Sequence, residues 1–176
     1  NKVIRTLSTQ PSQVYAVAFS PDGKFVLSGG ADKTVRLINI ETGTEVRKYT
    51  GPTQSVYTVA FSPDGKSIAA AGVGLGGKRS IYLWAIANPK PVKQIDGHKG
   101  DIYRVRFHPT KANRLLAADY TGVIHIWDTG SAKSLFTTRL ANPPIYSAAY
   151  SSDGKQIVTG ARDAKAYLIP VPANAQ

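Results

Sequence analysis

Short hydrophobic segments separated by turn residues follow one another along the whole chain. The segments at 25–28 and 34–38 have the length and the β-branched and aromatic content typical of β-strands. Just before the first of them, Ser-Pro-Asp-Gly at 20–23 signals a tight turn, because Pro presets φ, Asp caps the turn and Gly adopts the left-handed conformation. No stretch has sustained helical periodicity. The pattern predicts an all-β protein.

The same pattern recurs four times. The segment 14–24 is repeated almost unchanged at 56–66, and weaker copies start at 102 and 145. One aromatic position is shared by the four copies, with spacings of 42, 46 and 43 residues, and its members are Phe19, Phe61, Phe107 and Tyr150. Four short strands in each period of forty-odd residues predict the blades of a β-propeller.

The repeats resemble those of WD40-repeat proteins over essentially the whole chain. The signature dipeptides of that family, Gly97-His98 and Trp127-Asp128, both occur in the third copy alone. The resemblance implies that His98 and Trp127 have a structural role, stiffening their blade.

A structural Asp of the family precedes the third strand of each blade. It matches Asp32 and Asp163, whereas the third copy has Thr121 in that position and the second has an insertion. The resemblance therefore implies structural roles for the two aspartates. It also leads us to expect that the hydrogen-bond network of family blades is incomplete in every copy.

Blade boundaries follow from the repeat. We predict one domain, 1–176, with blades at about 14–50, 56–96, 102–139 and 145–170. The last blade lacks an outer strand, and the segment 2–7 matches the outer-strand position, so we expect it to complete that blade.

Ring closure sets the expected assembly. To close a ring of four, each blade would have to be rotated by about 90° relative to its neighbour, whereas propellers of seven or eight blades need only about 45–51°. We therefore expect a homodimer that forms one eight-bladed ring, with the segment 2–7 exchanged between the chains. The alternative is that this chain is part of a longer propeller.

The composition limits which kinds of site this protein can contain. Hydrophobic residues make up 42% of the 176 and charged residues 19%, as in a folded globular protein rather than a disordered one. No apolar run is long enough to cross a membrane. The absence of Cys excludes disulfides and Cys-ligated zinc, and three scattered His leave little for a metal site. We expect a soluble protein with no metal and no cofactor; the sequence does not indicate its compartment.

The sequence supports neither phosphate binding nor catalysis. The glycine-rich segment 72–78 resembles a phosphate loop, but Arg79 stands where Ser or Thr must bind Mg²⁺, and a strand rather than a helix follows. We interpret it as an insertion between strands: either a tolerated loop, or a partner contact that uses Lys78 and Arg79. No nucleophile is placed beside a base, and we expect His108 and His125 on the surface.

One tyrosine position is common to all four repeats. Its members, at the start of the innermost strand, are Tyr15, Tyr57, Tyr103 and Tyr146. The resemblance places this position at the rim of the central channel, on the face where partners usually dock. Tyrosine suits recognition, because it offers apolar area and a hydroxyl group. The alternative is a packing residue that duplication copied.

The third repeat differs from the others in charge. Arg104 and Arg106 replace small residues, and residues two apart on a strand share a face, here the channel side. Such a pair would favour anions or acidic peptide groups, unless it forms ion pairs within the chain. Two adjacent turns add Tyr120 and Arg162 to the same face.

These observations predict a non-enzymatic scaffold that docks a protein or peptide, possibly an acidic one, on the tyrosine-rimmed face. The net charge of +11 leaves anion or nucleic-acid binding as an alternative, although no nucleic-acid motif is present. A third alternative is a structural subunit or a fragment of a larger enzyme or complex.

Overall fold

The computed structural model describes residues 3, 5–7, 10–73, 79–140 and 144–176. They form fifteen strands in four antiparallel sheets, which follow one another along the chain and which we call blades one to four. The all-β fold predicted from the sequence is confirmed.

Each blade is a meander, in which every strand pairs with the strand that follows it in the sequence. Blade one contains β1 (Val14–Phe19), β2 (Phe25–Gly30), β3 (Val35–Asn39) and β4 (Glu45–Tyr49). Blade two contains β5 (Ser55–Phe61), β6 (Ser67–Val73), β7 (Ile81–Ala85) and β8 (Lys93–Ile95).

Blades three and four differ in their number of strands. Blade three contains β9 (Ile102–Phe107), β10 (Arg114–Asp119), β11 (Val123–Asp128) and β12 (Lys133–Arg139). Blade four has three strands among the described residues: β13 (Ile145–Tyr150), β14 (Gln156–Ala161) and β15 (Ala166–Pro170). The described part of the 2–7 segment forms no strand within this chain.

The first turn of a blade is closed by its own side chains. In blade one, Ser20 Oγ donates a hydrogen bond to Asp22 Oδ1 at 2.6 Å, and Gly23 has a φ of 70°, which is strained for any residue with a Cβ. The same Ser–Asp bond recurs at Ser62 and Ser151. The repeated sequence thus fixes the turn that aligns the first two strands.

Hydrophobic cores lie between neighbouring blades. The innermost strands contact one another in the order β1, β5, β9 and β13. Three clusters of buried residues occupy the junctions between blades one and two, two and three, and three and four. They are centred on Leu27, Val59 and Trp84; on Leu83, Ile102 and Phe107; and on Leu116, Ile126 and Ala148.

No helix in the described part of the chain is long and apolar enough to span a membrane.

Candidate functional site

Each tyrosine of the shared position is the extra residue of a β-bulge. In blade one, Val14 and Ala16 pair with the adjacent residues Gly30 and Gly29, which leaves Tyr15 without a pairing partner. The register shifts in the same way at the other three positions, namely Tyr57, Tyr103 and Tyr146. A bulge redirects the side chain of its extra residue, and all four are redirected at the same edge of the blades.

The chain approaches itself closely at two of these bulges, where glycine allows it. A Cβ on Gly72, which faces Val56 across the blade-two bulge, would lie 1.8 Å from the backbone oxygen of Ser55, and one on Gly30 would lie 2.2 Å from that of Gln13. A larger residue would therefore push these strands apart. The equivalent positions of blades three and four hold Asp119 and Ala161, so the bulge itself does not require glycine.

The four tyrosine rings form a continuous row, which we call the tyrosine rim. Tyr15 and Tyr57 stack at 4.4 Å between ring centroids. Tyr57 meets Tyr103 edge-on at 6.1 Å, and Tyr103 meets Tyr146 edge-on at 5.8 Å. Tyr120 packs beside Tyr103 at 6.0 Å. The rim therefore crosses all four blades.

The rim is open to solvent, and its two central tyrosines, Tyr57 and Tyr103, have raised pKa values. Tyr15 and Tyr146 are 42% and 48% exposed, and Tyr57 and Tyr103 are half-buried between them. Burial raises the pKa of Tyr57 and of Tyr103, and the charge of Asp101 adds to the rise at Tyr103. At neutral pH the hydroxyl groups can both donate and accept hydrogen bonds.

Arg104 and Arg106 lie on the strand next to the rim, without a carboxylate partner among the described residues. An Nη of Arg104 donates to Ser147 Oγ at 3.3 Å, and its Nε is buried without a partner. Nη1 of Arg106 donates to the backbone oxygen of Val59 at 3.3 Å. Burial, and then the charge of Arg104, lower the pKa of Arg106. Two like charges are thus held together without a counterion.

The sequence suggested three further cations, Arg79, Arg162 and Lys78. Arg79 forms an ion pair with Asp101 at 3.2 Å, so Asp101 partly neutralises it. Arg162 is exposed in the turn between β14 and β15. Lys78 lies outside the described residues.

Blade three contains a complete buried hydrogen-bond network, and the expectation that every copy would lack one is wrong. Trp127 Nε1 donates to His98 Nε2 at 3.2 Å, and His98 Nδ1 contacts Asp119 Oδ2 at 3.2 Å. Thr121 donates to Asp119 Oδ1 at 2.7 Å. The acid is supplied by the last residue of β10, two positions before Thr121, where sequence comparison did not place it.

The aspartates expected to be structural make other contacts. Asp32 forms an ion pair with Arg36 at 2.6 Å and accepts a hydrogen bond from Thr34. Asp163 accepts one from the Tyr167 hydroxyl. Both tie the turn to the strand that follows it, so their blades do not use the His–Trp arrangement of blade three.

Two histidines are more buried than expected. His108 is buried beside Tyr150, with ring centroids 5.1 Å apart. His125 stacks on Trp127 at 4.9 Å and meets His98 edge-on at 4.8 Å. Strand alternation suggested a surface position for His125, but packing around the Trp127 ring overrides it.

His125 makes stability depend on pH. Burial, and then the nearby His98, lower its pKa from 6.5 to about 4. The unfolded chain therefore takes up a proton between pH 6.5 and 4 that the folded chain does not, and stability is lost as the pH falls. We expect the free energy of unfolding to fall by about 1–2 kcal/mol between pH 7 and 5. Urea unfolding should show a smaller pH dependence for His125→Gln than for the wild type; an unchanged dependence would contradict the assignment.

Metal binding has no structural support in the part of the chain that the structure describes. No three residues among its His, Asp and Glu are grouped as metal ligands. The candidate site is an aromatic row with an adjacent cationic pair.

Comparison with known proteins agrees with this architecture. The chain matches the WD40 family (WD domain, G-beta repeat) in four segments, 1–39, 43–85, 89–128 and 133–169. It is 29% identical over 169 residues to Target of rapamycin complex subunit wat1 of Schizosaccharomyces pombe, covering 93% of this chain and 51% of that protein. It is 26% identical over 161 residues to Periodic tryptophan protein 2 of Arabidopsis thaliana, covering 90% and 17%.

A shorter match, 35% identical over 75 residues, is to Coronin-7 of Rattus norvegicus and covers 43% of this chain and 8% of that protein. The chain thus spans about half the length of one of these relatives and much less of the other two. WD40 repeat proteins are typically scaffolds for protein interactions and usually have no catalytic activity. Each matched segment contains, to within one residue, the first three strands of one blade. Because the four segments extend over nearly the whole chain, the chain belongs to the WD40 repeat family.

Proposed function

We propose that this protein is a non-enzymatic scaffold that docks a protein or an extended peptide on the tyrosine rim. The observation that carries the proposal is the row itself: four bulges redirect four tyrosines to one edge, where their rings touch and remain open to solvent.

Tyrosine also has the right chemistry for such a surface. Its ring offers a large apolar contact with few rotatable bonds, and its hydroxyl group adds a hydrogen bond. Tyrosines are enriched among the residues that dominate binding energy at protein interfaces. A row of contacting rings presents this chemistry over several residues of a bound segment.

The unpaired arginines indicate what the bound segment contributes. Because Arg104 and Arg106 have no carboxylate partner among the described residues, an acidic side chain entering beside Tyr103 would find two guanidinium groups to pair with. We therefore propose an acidic peptide as the preferred partner. Binding of a nucleic acid is the second candidate, and the same unpaired charges favour it.

The scaffold is proposed to work as a ring rather than as an isolated set of four blades. Four blades span half a circle if each turns by about 45°, as in an eight-bladed propeller. One domain, 1–176, would then form half of the ring, and the segment 2–7 would complete blade four of a second chain.

Fluorine NMR can test the rim directly. Protein labelled with 3-fluorotyrosine should be titrated with peptides selected on it from a random library, and the signals assigned with Tyr→Phe variants. We expect the rim tyrosines and Tyr120 to shift, because the peptide contacts them. Tyr167, at a distance from the rim in sequence and strand, is the internal control. Shifts confined to other tyrosines would contradict the proposal.

Variants and salt separate the two candidate partners. Arg104→Gln with Arg106→Gln should lower the affinity for acidic peptides about tenfold and leave that for neutral ones unchanged. Arg139→Gln, on the outer strand of the same blade, is the matched control. Oligo(dT) should bind weakly, and its affinity should fall with salt in proportion to the number of phosphate contacts. Oligo(dT) binding that is tighter than that of every selected peptide would favour the second candidate.

A further inference from the structure

A cavity of about 450 Å³, which we call the turn-side cavity, lies where the inner strands end, away from the tyrosine rim. Three blades line it with the same repeat positions, namely the last two residues of the inner strand and the proline of the next turn. These residues are Ala18, Phe19 and Pro21; Ala60, Phe61 and Pro63; and Arg106, Phe107 and Pro109. Because a strand rises about 3.3 Å per residue, Arg106 lies about 10 Å along β9 from Tyr103. The cavity is therefore separate from the rim.

The turn-side cavity faces the centre of the blade arrangement. The inner strands β1, β5 and β9 are each the terminal strand of their sheet, and they contact one another in that order. The cavity spans the ends of these three strands. The two blade junctions that shape it, between blades one and two and between blades two and three, are both formed within this chain.

Small residues leave the space, and Arg106 extends into it. The position of Arg106 is alanine in the other three blades, at Ala18, Ala60 and Ala149. Arg106 Nη1 donates to the backbone oxygen of Val59 at 3.3 Å, so the guanidinium group reaches from blade three to the wall of blade two. Among the described residues that line the cavity, Arg106 is the only one with a permanent charge.

The guanidinium group of Arg106 has donors to spare. Its Nη1 also donates to the backbone oxygen of Val105 at 3.4 Å, whereas its Nε and Nη2 make no hydrogen bond to the described part of the chain. A carboxylate can accept from Nε and Nη2 together. Burial, and then the charge of Arg104, lower the pKa of Arg106, so an anion beside it would be favoured. His108 also lines the cavity, and burial and then Lys111 lower its pKa, so it supplies no counterion.

The remainder of the lining is largely apolar. Phe61 and Phe107 contribute aromatic rings, and the three turn prolines have no amide hydrogen to donate. Such a surface cannot replace the hydration of a doubly charged group, which favours a single carboxylate over a phosphate monoester. Cavities of about 300–1,000 Å³ are typical of small-molecule sites, and this one is within that range.

We propose that the turn-side cavity binds a small apolar carboxylate, whose oxygens accept hydrogen bonds from Arg106 and whose apolar part packs against Phe61, Phe107 and the turn prolines. This site goes beyond the docking of a peptide on the tyrosine rim, because it lies at the opposite end of the inner strands and takes a different class of ligand.

Calorimetric titration with naphthylacetate, a two-ring apolar carboxylate, tests the proposal. Naphthylethanol, its neutral counterpart, should bind about tenfold more weakly, because it cannot pair with the guanidinium group. Arg106→Gln should weaken naphthylacetate about tenfold, and Arg106→Lys, which keeps the charge, should restore most of the affinity. Lys66→Gln removes an exposed cation from the turn that contains Pro63 and is the matched control, with unchanged affinity. Thermal melting confirms that each variant is folded.

Fluorine NMR locates the bound probe. Protein labelled with 4-fluorophenylalanine should be titrated with naphthylacetate, and the signals assigned with single Phe→Tyr variants. We expect the signals of Phe61 and Phe107 to shift, since both rings line the cavity. Phe136, on the outer strand of blade three, is the internal control and should not shift.

Four results would overturn the proposal: no binding at millimolar naphthylacetate, equal binding of naphthylethanol, unchanged affinity in Arg106→Gln, or shifts confined to the rim in 3-fluorotyrosine protein. Peptide docking has its own readout at the rim tyrosines. A protein that binds rim peptides but not naphthylacetate would overturn this proposal and preserve the docking proposal, and a protein that binds only naphthylacetate in the cavity would do the reverse.

Discussion

Replacing Asp119 with Ala is expected to lower the free energy of unfolding by about 3 kcal/mol, because it leaves buried polar groups without a partner. Asp119 is 1% exposed and accepts hydrogen bonds from Thr121 and from the backbone of Val123, in addition to its contact with His98. Although burial opposes ionisation, these bonds lower the pKa of Asp119, so the side chain is charged at neutral pH. Removing the carboxylate also leaves His98 Nδ1 without its contact, and His98 Nε2 accepts the hydrogen bond of Trp127 Nε1.

Thermal unfolding measures this effect, with a fall in Tm of about 6–12 °C for a protein of this size. Asp163→Ala is the matched control, because Asp163 follows the second strand of its blade but is less buried. The control should lose about 1 kcal/mol. Equal losses in the two variants would show that the buried network adds nothing to stability.

If the proposed two-chain ring forms, deleting residues 1–7 is expected to convert it to monomer and aggregate. The deletion removes Leu7 from the cavity that it lines with Val14 and Val17, and Arg5 from Ile40, and in the proposed ring it leaves β15 of the second chain with an unpaired edge. Open edges and exposed apolar faces favour aggregation.

Sedimentation velocity measures the outcome, with the shorter deletion of residues 1 and 2 as the control, since it keeps Arg5 and Leu7. The control should sediment as the proposed dimer. A dimer that survives the longer deletion would show that the contact between the two chains does not need the segment.

The sequence by itself determined the strand content, the four repeats and the family. Repetition makes these inferences strong, because the Ser-Pro-Asp-Gly turn and the inner-strand pattern act locally and appear more than once. The tyrosine position was visible for the same reason. So was the difference in blade three, because Arg104 and Arg106 replace small residues at repeated positions.

Only the tertiary structure decided which residues meet. Asp119 replaces the expected acid because the chain turn places its carboxylate beside His98, although its sequence position differs. The bulges that align the tyrosines depend on pairing between strands, and so does the lack of a carboxylate partner for Arg104 among the described residues. Local sequence fixes turns and strands, whereas burial and charge pairing depend on contacts between residues far apart in the chain.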